Sequence, residues 1–441
     1  GLQLPNSVDF LVAALASMWI GAIFIPLSVT DPATRVAAIV DDCTPAVILC
    51  NAQTPDPHPR AVHVSDLAAG GAGGVPAIDA ADRPAYAIYT SGTTGTPKGV
   101  LIGRRAFAAA VRSIIEAVGF TSSTRSLCVS PFHFDGSFGT LFPTPAAGGS
   151  LVISPRESLL FPRYFFSTIA REHITLTSFS PSYLRLLLAS PQLGTLAGST
   201  LSVVGLGGEA CSAADVTRLW HAAPELRVFN RYGPTETTIM ASHFEVTPAG
   251  IAGDAVPIGR PHPGVSFVLV DGDGRTIDDS GRTGELYIGG VQLMAGYWGA
   301  PELSASVLRS DIVAGQTLYR TGDIAMRRPD GNYVYVDRAD RVIKRRAVRI
   351  SLVELGEVFR GLPGVTAATC VTYADGAELG IAAFVATQDA CTTDDVRAAA
   401  MQRLPASMLP DRIELVSSLP LNSSSKVDER RLLADAGLRP R

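Results

Sequence analysis

Cysteine is scarce in this chain and poorly placed for either of its structural uses. The 441 residues hold six cysteines, at positions 43, 50, 128, 211, 370 and 391, with no CxxC pair and no histidine spacing that would complete a zinc site. So few in a chain this long fit a reducing, cytoplasmic setting better than a disulfide scaffold. An excess of charge of one sign is also missing. Thirty-seven basic side chains stand against 41 acidic ones, for a net charge of -4 and a pI near 6.0. A nucleic-acid partner needs a concentrated basic face, so none is expected. Long apolar runs are nearly absent. The uncharged stretch Phe10–Val29 approaches the ~20 residues of a membrane span, but Gly21 and Pro26 interrupt it. It reads as a helix from Asp9 to about Ile20, capped by Asn6 or Ser7 and ended by Gly21, followed by a buried strand Ala22–Ile25. No basic segment precedes it, so neither a signal peptide nor a membrane partner is expected.

What is present is an ordinary globular composition, 46% apolar and 18% charged. The length exceeds what one core serves, since cores stop growing at about 250–300 residues. Strand-like runs (Ala46–Cys50, Ala85–Thr90, Leu127–Val129, Ser150–Ile153, Thr175–Phe179, Leu201–Leu206) alternate with helical ones (Ala33–Asp41, Arg105–Val118, Tyr164–Glu172, Tyr183–Leu188). That alternation predicts an α/β fold with parallel-rich sheets. From about Val256 to Val336 short strands separated by Gly/Asp turns predict a small β subdomain. Beyond a charge-dense stretch, helices Leu352–Arg360 and Asp394–Arg403 and strands Ala367–Thr372 and Ile381–Val385 predict a small α+β domain. The expected division is 1–339 and 340–441.

The strongest local signal is Tyr86-Ala-Ile-Tyr-Thr-Ser-Gly-Thr-Thr-Gly-Thr-Pro-Lys-Gly99. An apolar strand runs into a segment of glycines and hydroxyls with a single lysine. Gly92 and Gly95 let backbone approach an anion, Ser91, Thr93, Thr94 and Thr96 offer hydroxyls just beyond Thr90, and Lys98 offers positive charge to phosphoryl oxygens. The spacing Gly92-x-x-Gly95-x-x-Lys98 is not that of a Walker A loop.

This stretch resembles the signature loop of the adenylate-forming superfamily, which comprises acyl-CoA synthetases, luciferases and the adenylation domains of nonribosomal peptide synthetases. Further stretches match in the family's order: Asn230-Arg-Tyr-Gly-Pro-Thr-Glu-Thr-Thr238, Gly284-Glu-Leu-Tyr-Ile-Gly289, Tyr319-Arg-Thr-Gly-Asp323, Arg338-Ala-Asp340 and Asn422-Ser-Ser-Ser-Lys426. The resemblance implies ATP and Mg2+ as cofactors. It implies that Tyr232 stacks on adenine and Asn230 hydrogen-bonds its edge, with Gly233 and Thr235 in the same turn. Glu236 becomes the magnesium ligand, Asp323 with Tyr335 and Arg338 the ribose site, and Asp340 the hinge of a mobile C-terminal domain. Lys426 is implied to swing in and bridge the substrate carboxylate and the α-phosphate. Lys98, Glu236 and Lys426 would be the catalytic groups, with no protein nucleophile.

Phe132-His-Phe-Asp135-Gly-Ser137 resembles the segment by which amino-acid-activating members bind an ammonium group, with Asp135 as its counter-charge. The implied substrate positions are Asp135, Gly136, Gly139, Ser178, Gly205, Gly207, Arg231, Ile239 and Met240. Four glycines remove side-chain volume, so a large cavity is expected. Arg231 is expected either to meet a second substrate carboxylate or to be tied up by a protein acid. The implied activity is adenylation of a bulky, acidic, β- or aromatic amino acid, followed by transfer to the phosphopantetheine thiol of a carrier protein. An acyl- or aryl-CoA ligase and a catalytically lapsed nucleotide-binding regulator remain alternatives.

Three departures stand out. Ala347 occupies a position where relatives usually have the glycine that lets the pantetheine arm pass. The last motif ends Ser-Ser-Lys instead of Asn-Gly-Lys. The resemblance also implies some dozens of residues before the position where this sequence begins, and the sequence reads as either a free-standing enzyme or an excised domain.

Overall fold

The structure is a computed structural model, and it describes residues 1–67, 83–91, 97–251, 256–339, 342–345, 348–375, 378–388, 391–404, 409–422 and 427–440. Two compact units emerge. One comprises Gly1–Thr321 and Met326–Tyr335, the other Gly322–Ala325 and Val336–Arg441. Gly92, Thr93, Thr94, Gly95, Asp340, Ala347 and Lys426 lie outside the described residues.

The first unit is built on a seven-stranded sheet. Its order is Arg260–Pro261, Ser242–Val246, Arg227–Tyr232, Val203–Gly207, Leu176–Phe179, Arg125–Cys128, Ser150–Ile153. The last five of these run parallel, and the first two are antiparallel additions. Parallel strands need crossover connections, and here they are short helices such as Pro162–Arg171, Pro181–Leu188 and Ala213–Ala222. Pro181 stands at the first turn of its helix, where a missing N–H costs nothing, and the Ser180 hydroxyl accepts from the Tyr183 N–H at 3.2 Å. The helix therefore starts immediately after Phe179, which keeps the end of that strand close to the turn.

A second sheet of three strands pairs Pro84–Ser91 with Pro97–Gly103, and that strand with Gly296–Tyr297. The expected small β subdomain is present: Val265–Val270 pairs antiparallel with Thr276–Ile277 and Thr283–Gly290. The N-terminal helix spans Val8–Trp19 and is capped by Ser7. The strand expected at Ala22–Ile25 is reduced to isolated bridges, Phe24 with Tyr86 and, one residue beyond it, Pro26 with Leu2; Pro26 has no N–H to extend a ladder. Among the described residues no helix is long and apolar enough to cross a membrane.

The second unit has its own core. An antiparallel pair, Val365–Asp375 and Glu378–Thr387, is joined by a parallel strand Arg412–Val416. Helices Leu352–Arg360 and Thr393–Met401 supply Leu355, Phe359, Val396 and Ala400 to the buried cluster. The second of these helices starts with a reciprocal capping box between Thr392 and Asp395.

One apolar cluster bears directly on function. Phe138 lies fully buried among Phe24, Tyr86 and Phe142, with ring centroids 5.0–5.9 Å away. Phe138 belongs to the seven-residue helix Asp135–Leu141, so this packing fixes where Asp135 stands. Replacing Phe138 by Ala is expected to cost about 3–5 kcal/mol in the unfolding of the first unit, measured in urea.

Candidate active site

The hairpin Pro84–Ser91/Pro97–Gly103 places Thr90 opposite Lys98 and Ser91 opposite Pro97. Lys98 thus stands two residues beyond the glycine-rich segment in sequence, opposite Thr90, whose hydroxyl is buried without a hydrogen-bond partner among the described residues. Glu236 arrives from a different part of the chain, on the single 3-10 turn Thr235–Thr237 that follows the strand Arg227–Tyr232. Lys98 Nζ lies 3.3 Å from Glu236 Oε1. Between them stands Tyr297, whose hydroxyl donates to Glu236 Oε1 at 2.8 Å and accepts from Lys98 Nζ at 2.8 Å. The ammonium also sits 4.3 Å from the Tyr297 ring centroid. Burial, and then the charge of Glu236, push the hydroxyls of Tyr297 and Tyr319 far above the usual phenol range, so both stay protonated donors.

The same end of the sheet carries the positions assigned to substrate. Because the strands are parallel and in register, Ser178 pairs with Gly205, and Gly207 with Arg231. Four of the expected residues therefore lie at the carboxyl ends of three neighbouring strands, the place where open α/β sheets bind ligands. Two of the four glycines expected to open a large cavity have that space already occupied. A Cβ on Gly205 would stand within 2.6 Å of Cζ, Nε and Nη2 of Arg231, and one on Gly139 would collide with Met240 Cε. The space those glycines vacate is filled by the protein's own side chains, whereas Gly136 has open space around it.

Arg231 is 4% exposed. Its Nη1 donates to Ser178 Oγ at 2.7 Å, and Ser178 Oγ also accepts from Thr140 Oγ1 at 3.1 Å. No acid pairs with it among the described residues, and its Nε and Nη2 have no hydrogen-bond partner there. Burial alone lowers its pKa to about 10, which leaves it a cation at neutral pH.

Ile239 and Met240 follow a strained turn. Thr238 and Ile239 take φ of +59° and +70°, a region that β-branched side chains avoid. The Met240 N–H donates to the Thr238 carbonyl at 2.8 Å, closing a γ-turn over Ile239. Gln292 holds it: Nε2 donates to the carbonyls of Thr238 (3.3 Å) and Met240 (2.8 Å), and the Thr238 hydroxyl donates to the Gln292 carbonyl at 2.6 Å. Gln292 Oε1 in turn faces His262 Nδ1 at 3.3 Å, and His262 Nε2 lies 3.0 Å from His243 Nδ1. Since Oε1 only accepts, a neutral His262 donates from Nδ1 and accepts at Nε2. Burial, reinforced by the nearby His243 and Arg231 charges, holds His262 down at about 4; burial and then Arg231 also lower His243.

Other expected residues are placed as follows. Asn230 is buried, and Nδ2 donates to the carbonyls of Pro257 (2.8 Å) and Val256 (3.4 Å). Tyr232 meets Phe267 edge-on at 6.2 Å. Gly233 is required by close chain approach, since a Cβ there would meet the Met240 Cα and the Ala241 nitrogen at 2.6 Å. Asp135 begins its helix partly buried, and its charge adds to the burial that raises the Tyr86 hydroxyl pKa. Tyr335 stands partly buried at the end of the first unit. In the second unit, Arg338 Nη1 donates to the buried Asp323 Oδ1 at 3.3 Å. Tyr297, Gln292, His243 and His262 were missed from sequence; each sits outside the motifs and gains its partners only through folding.

Comparison with known proteins bears on the family and the fold. A family model described as "AMP-binding enzyme" matches residues 1–298. Tyrocidine synthase 3 of Brevibacillus parabrevis is 32% identical over 98% of this chain, which spans 7% of that protein's length. Among solved structures, a four-domain nonribosomal peptide synthetase, AB3403, bound to AMP and glycine, superimposes with a TM-score of 0.84 at 27% identity, over 98% of this chain and 32% of its own. NpsA of Klebsiella oxytoca, with a TM-score of 0.85 at 23% identity over 99% and 88%, shares the fold.

Two outcomes follow from the geometry. Tyr297→Phe removes the hydroxyl that holds Glu236 and is expected to cost about 1.5–3 kcal/mol of unfolding free energy. His262 protonates near pH 6.5 in the unfolded chain but only near about 4 when folded, so stability falls as pH drops between those values. His262→Gln should flatten that part of the stability–pH curve in urea titrations; an unchanged slope would show that His262 is not held neutral.

Proposed function

The chain belongs to the AMP-binding enzyme family, and on that premise we propose that it is an ATP-dependent, AMP-forming ligase. It activates the carboxylate of an amino acid and passes the acyl group to the phosphopantetheine thiol of a carrier protein. The observation that carries this reading is the closed triangle of Lys98, Tyr297 and Glu236 at the base of the glycine-rich hairpin. It joins the cation of one motif to the carboxylate of another, the pair that a triphosphate and its counter-ion require.

In this reading a substrate carboxylate oxygen attacks the α-phosphorus of ATP, the bond to the bridging oxygen breaks, and pyrophosphate leaves with the electron pair. The protein supplies position and charge, not a nucleophile. Lys98 neutralises phosphoryl oxygens, and Lys426 bridges the attacking carboxylate and the α-phosphate. Asn230 and Tyr232 hold the base, with Gly233 and Thr235 shaping the turn beside it, and Asp323, Tyr335 and Arg338 hold the ribose. Asp135 pairs with the substrate ammonium. Asp340 is the hinge about which residues 340–441 move between the two half-reactions.

Glu236 fits a magnesium ion: it is one hard carboxylate beside threonine hydroxyls, with no histidine or cysteine in the set, and among the described residues no cluster of three metal-ligating side chains competes. Magnesium commonly takes one or two carboxylates and fills its remaining sites with water and phosphate. When bound it would neutralise the triphosphate. Lys98 and Tyr297, both on Oε1, would hold the Glu236 carboxylate in place for it.

The test is ATP–pyrophosphate exchange over a panel of α-amino, β-amino and aromatic acids. Exchange with amine-bearing acids is expected, lost on chelation of magnesium. Exchange confined to acids lacking an amine would point to an acyl- or aryl-CoA ligase, and none with any acid would overturn the reading. Asp135→Ala should lower kcat/KM for the amino acid by about 100-fold or more. Lys426→Ala should cripple adenylation while sparing transfer from a preformed adenylate.

A further inference from the structure

We propose that Arg231 makes this a site for amino acids carrying a second carboxylate, its guanidinium receiving the side-chain carboxylate while Asp135 receives the ammonium. The inference deepens the adenylation reading and rests on it for the placing of the substrate.

The argument starts from which atoms are satisfied. Of the three guanidinium nitrogens only Nη1 has a hydrogen-bond partner among the described residues, Ser178 Oγ at 2.7 Å. The two left without one, Nε and Nη2, form a single edge of the planar group, and their N–H bonds run parallel. That edge is the fork that grips both oxygens of one carboxylate. A neutral ligand group cannot offer two parallel acceptors carrying a compensating charge.

The surroundings make the cation a fixture. The side chain is 4% exposed, and no protein carboxylate among the described residues neutralises it. Its nearest titratable neighbours, His243 and His262, are neutral, linked to each other and to Gln292. Gly205 is the concession the backbone makes to it, because a Cβ there would overlap the guanidinium. Met240 differs in kind: the atom over Gly139 is the end of a flexible thioether, which a substrate can push aside. A buried, unmatched arginine is costly to keep. It becomes favourable when a ligand brings the missing charge.

The experiment compares acids that differ only in the distal group: aspartate with asparagine, glutamate with glutamine, and 2-aminoadipate with norleucine. Exchange with ATP and equilibrium binding of the free acids by calorimetry are both measured. For at least one pair, wild-type protein is expected to favour the dicarboxylate by about 100-fold in kcat/KM and in affinity. Arg231→Met should abolish that preference, and Arg231→Lys, which keeps the charge but loses the fork, should retain only part of it. Exchange with neutral acids and no preference for the dicarboxylate would overturn the proposal and leave the adenylation reading intact. Tight, Arg231-dependent binding of a dicarboxylate without exchange would support the subsite and overturn that reading. If Arg231→Met does not fold, the wild-type acid-to-amide ratio alone decides, and a ratio near one overturns the proposal.

Discussion

Glu236 is a buried carboxylate, and an isolated charge in that position would cost several kcal/mol. Lys98 and the Tyr297 hydroxyl remove that cost together, one by charge and one by a hydrogen bond, on the same oxygen. The rest of the site depends on this triangle. It ties the glycine-rich hairpin to the turn after the strand Arg227–Tyr232, and Tyr297 reaches it because Gly296–Tyr297 pairs with Pro97–Gly103. Two sheets, each with its own core contacts, are thereby brought to a common point. The ion pair is also exchangeable. Lys98 keeps about a quarter of its side chain exposed, so an incoming polyanion competes for it from solvent.

Around that point the backbone is under constraint, and the compensation is visible. Two consecutive residues with positive φ cost of order 1–3 kcal/mol each, and Thr238 and Ile239 adopt such angles to turn Met240 back over Gly139. Gln292 answers with both ends of its side chain and its own carbonyl, and His262 and His243 complete the chain of hydrogen bonds. Each member is buried or nearly so, and each is satisfied by the next, which is the condition under which a buried polar network fixes one conformation. Beneath the opposite wall the aromatic cluster of Phe24, Tyr86, Phe138 and Phe142 plays the equivalent part for Asp135, by packing alone.

Much of this was legible in the sequence, for identifiable reasons. The alternation of apolar and helical runs located four of the five parallel strands to within a few residues, because strands buried on both faces need continuous apolar stretches; the fifth, Arg227–Tyr232, carries an asparagine and two arginines and was not among the expected runs. The glycine-rich turn, Glu236 and Asp135 stood out because their chemistry is concentrated in short windows. Tyr297, Gln292, His243 and His262 did not, since nothing near them in sequence distinguishes a core tyrosine or glutamine from a positioning one. The strand expected at Ala22–Ile25 was over-read: an apolar run between Gly21 and Pro26 is too short to build a ladder and makes only bridges. The glycines were legible only in part. A glycine announces that something lies close to the backbone, not what it is. At 139 and 205 the occupant is the protein itself, contributed by Met240 and Arg231 from segments far along the chain.

The two cations of the first unit's site make the final point. Lys98 is partly exposed, flexible and already neutralised, so a ligand must take it from Glu236 and Tyr297 and gains only the difference between the two partnerships. Arg231 is enclosed, anchored through Nη1 and unopposed by any described acid, so a ligand that neutralises it displaces no protein partner. By the arithmetic of differential binding, the first arrangement favours reversible contact with a group that must arrive and leave, and the second favours discrimination between ligands of similar size. A lysine on a flexible stem suits the former, and a planar arginine locked over a glycine suits the latter. The division of labour thus follows from how much of each cation's electrostatic demand the fold has already met.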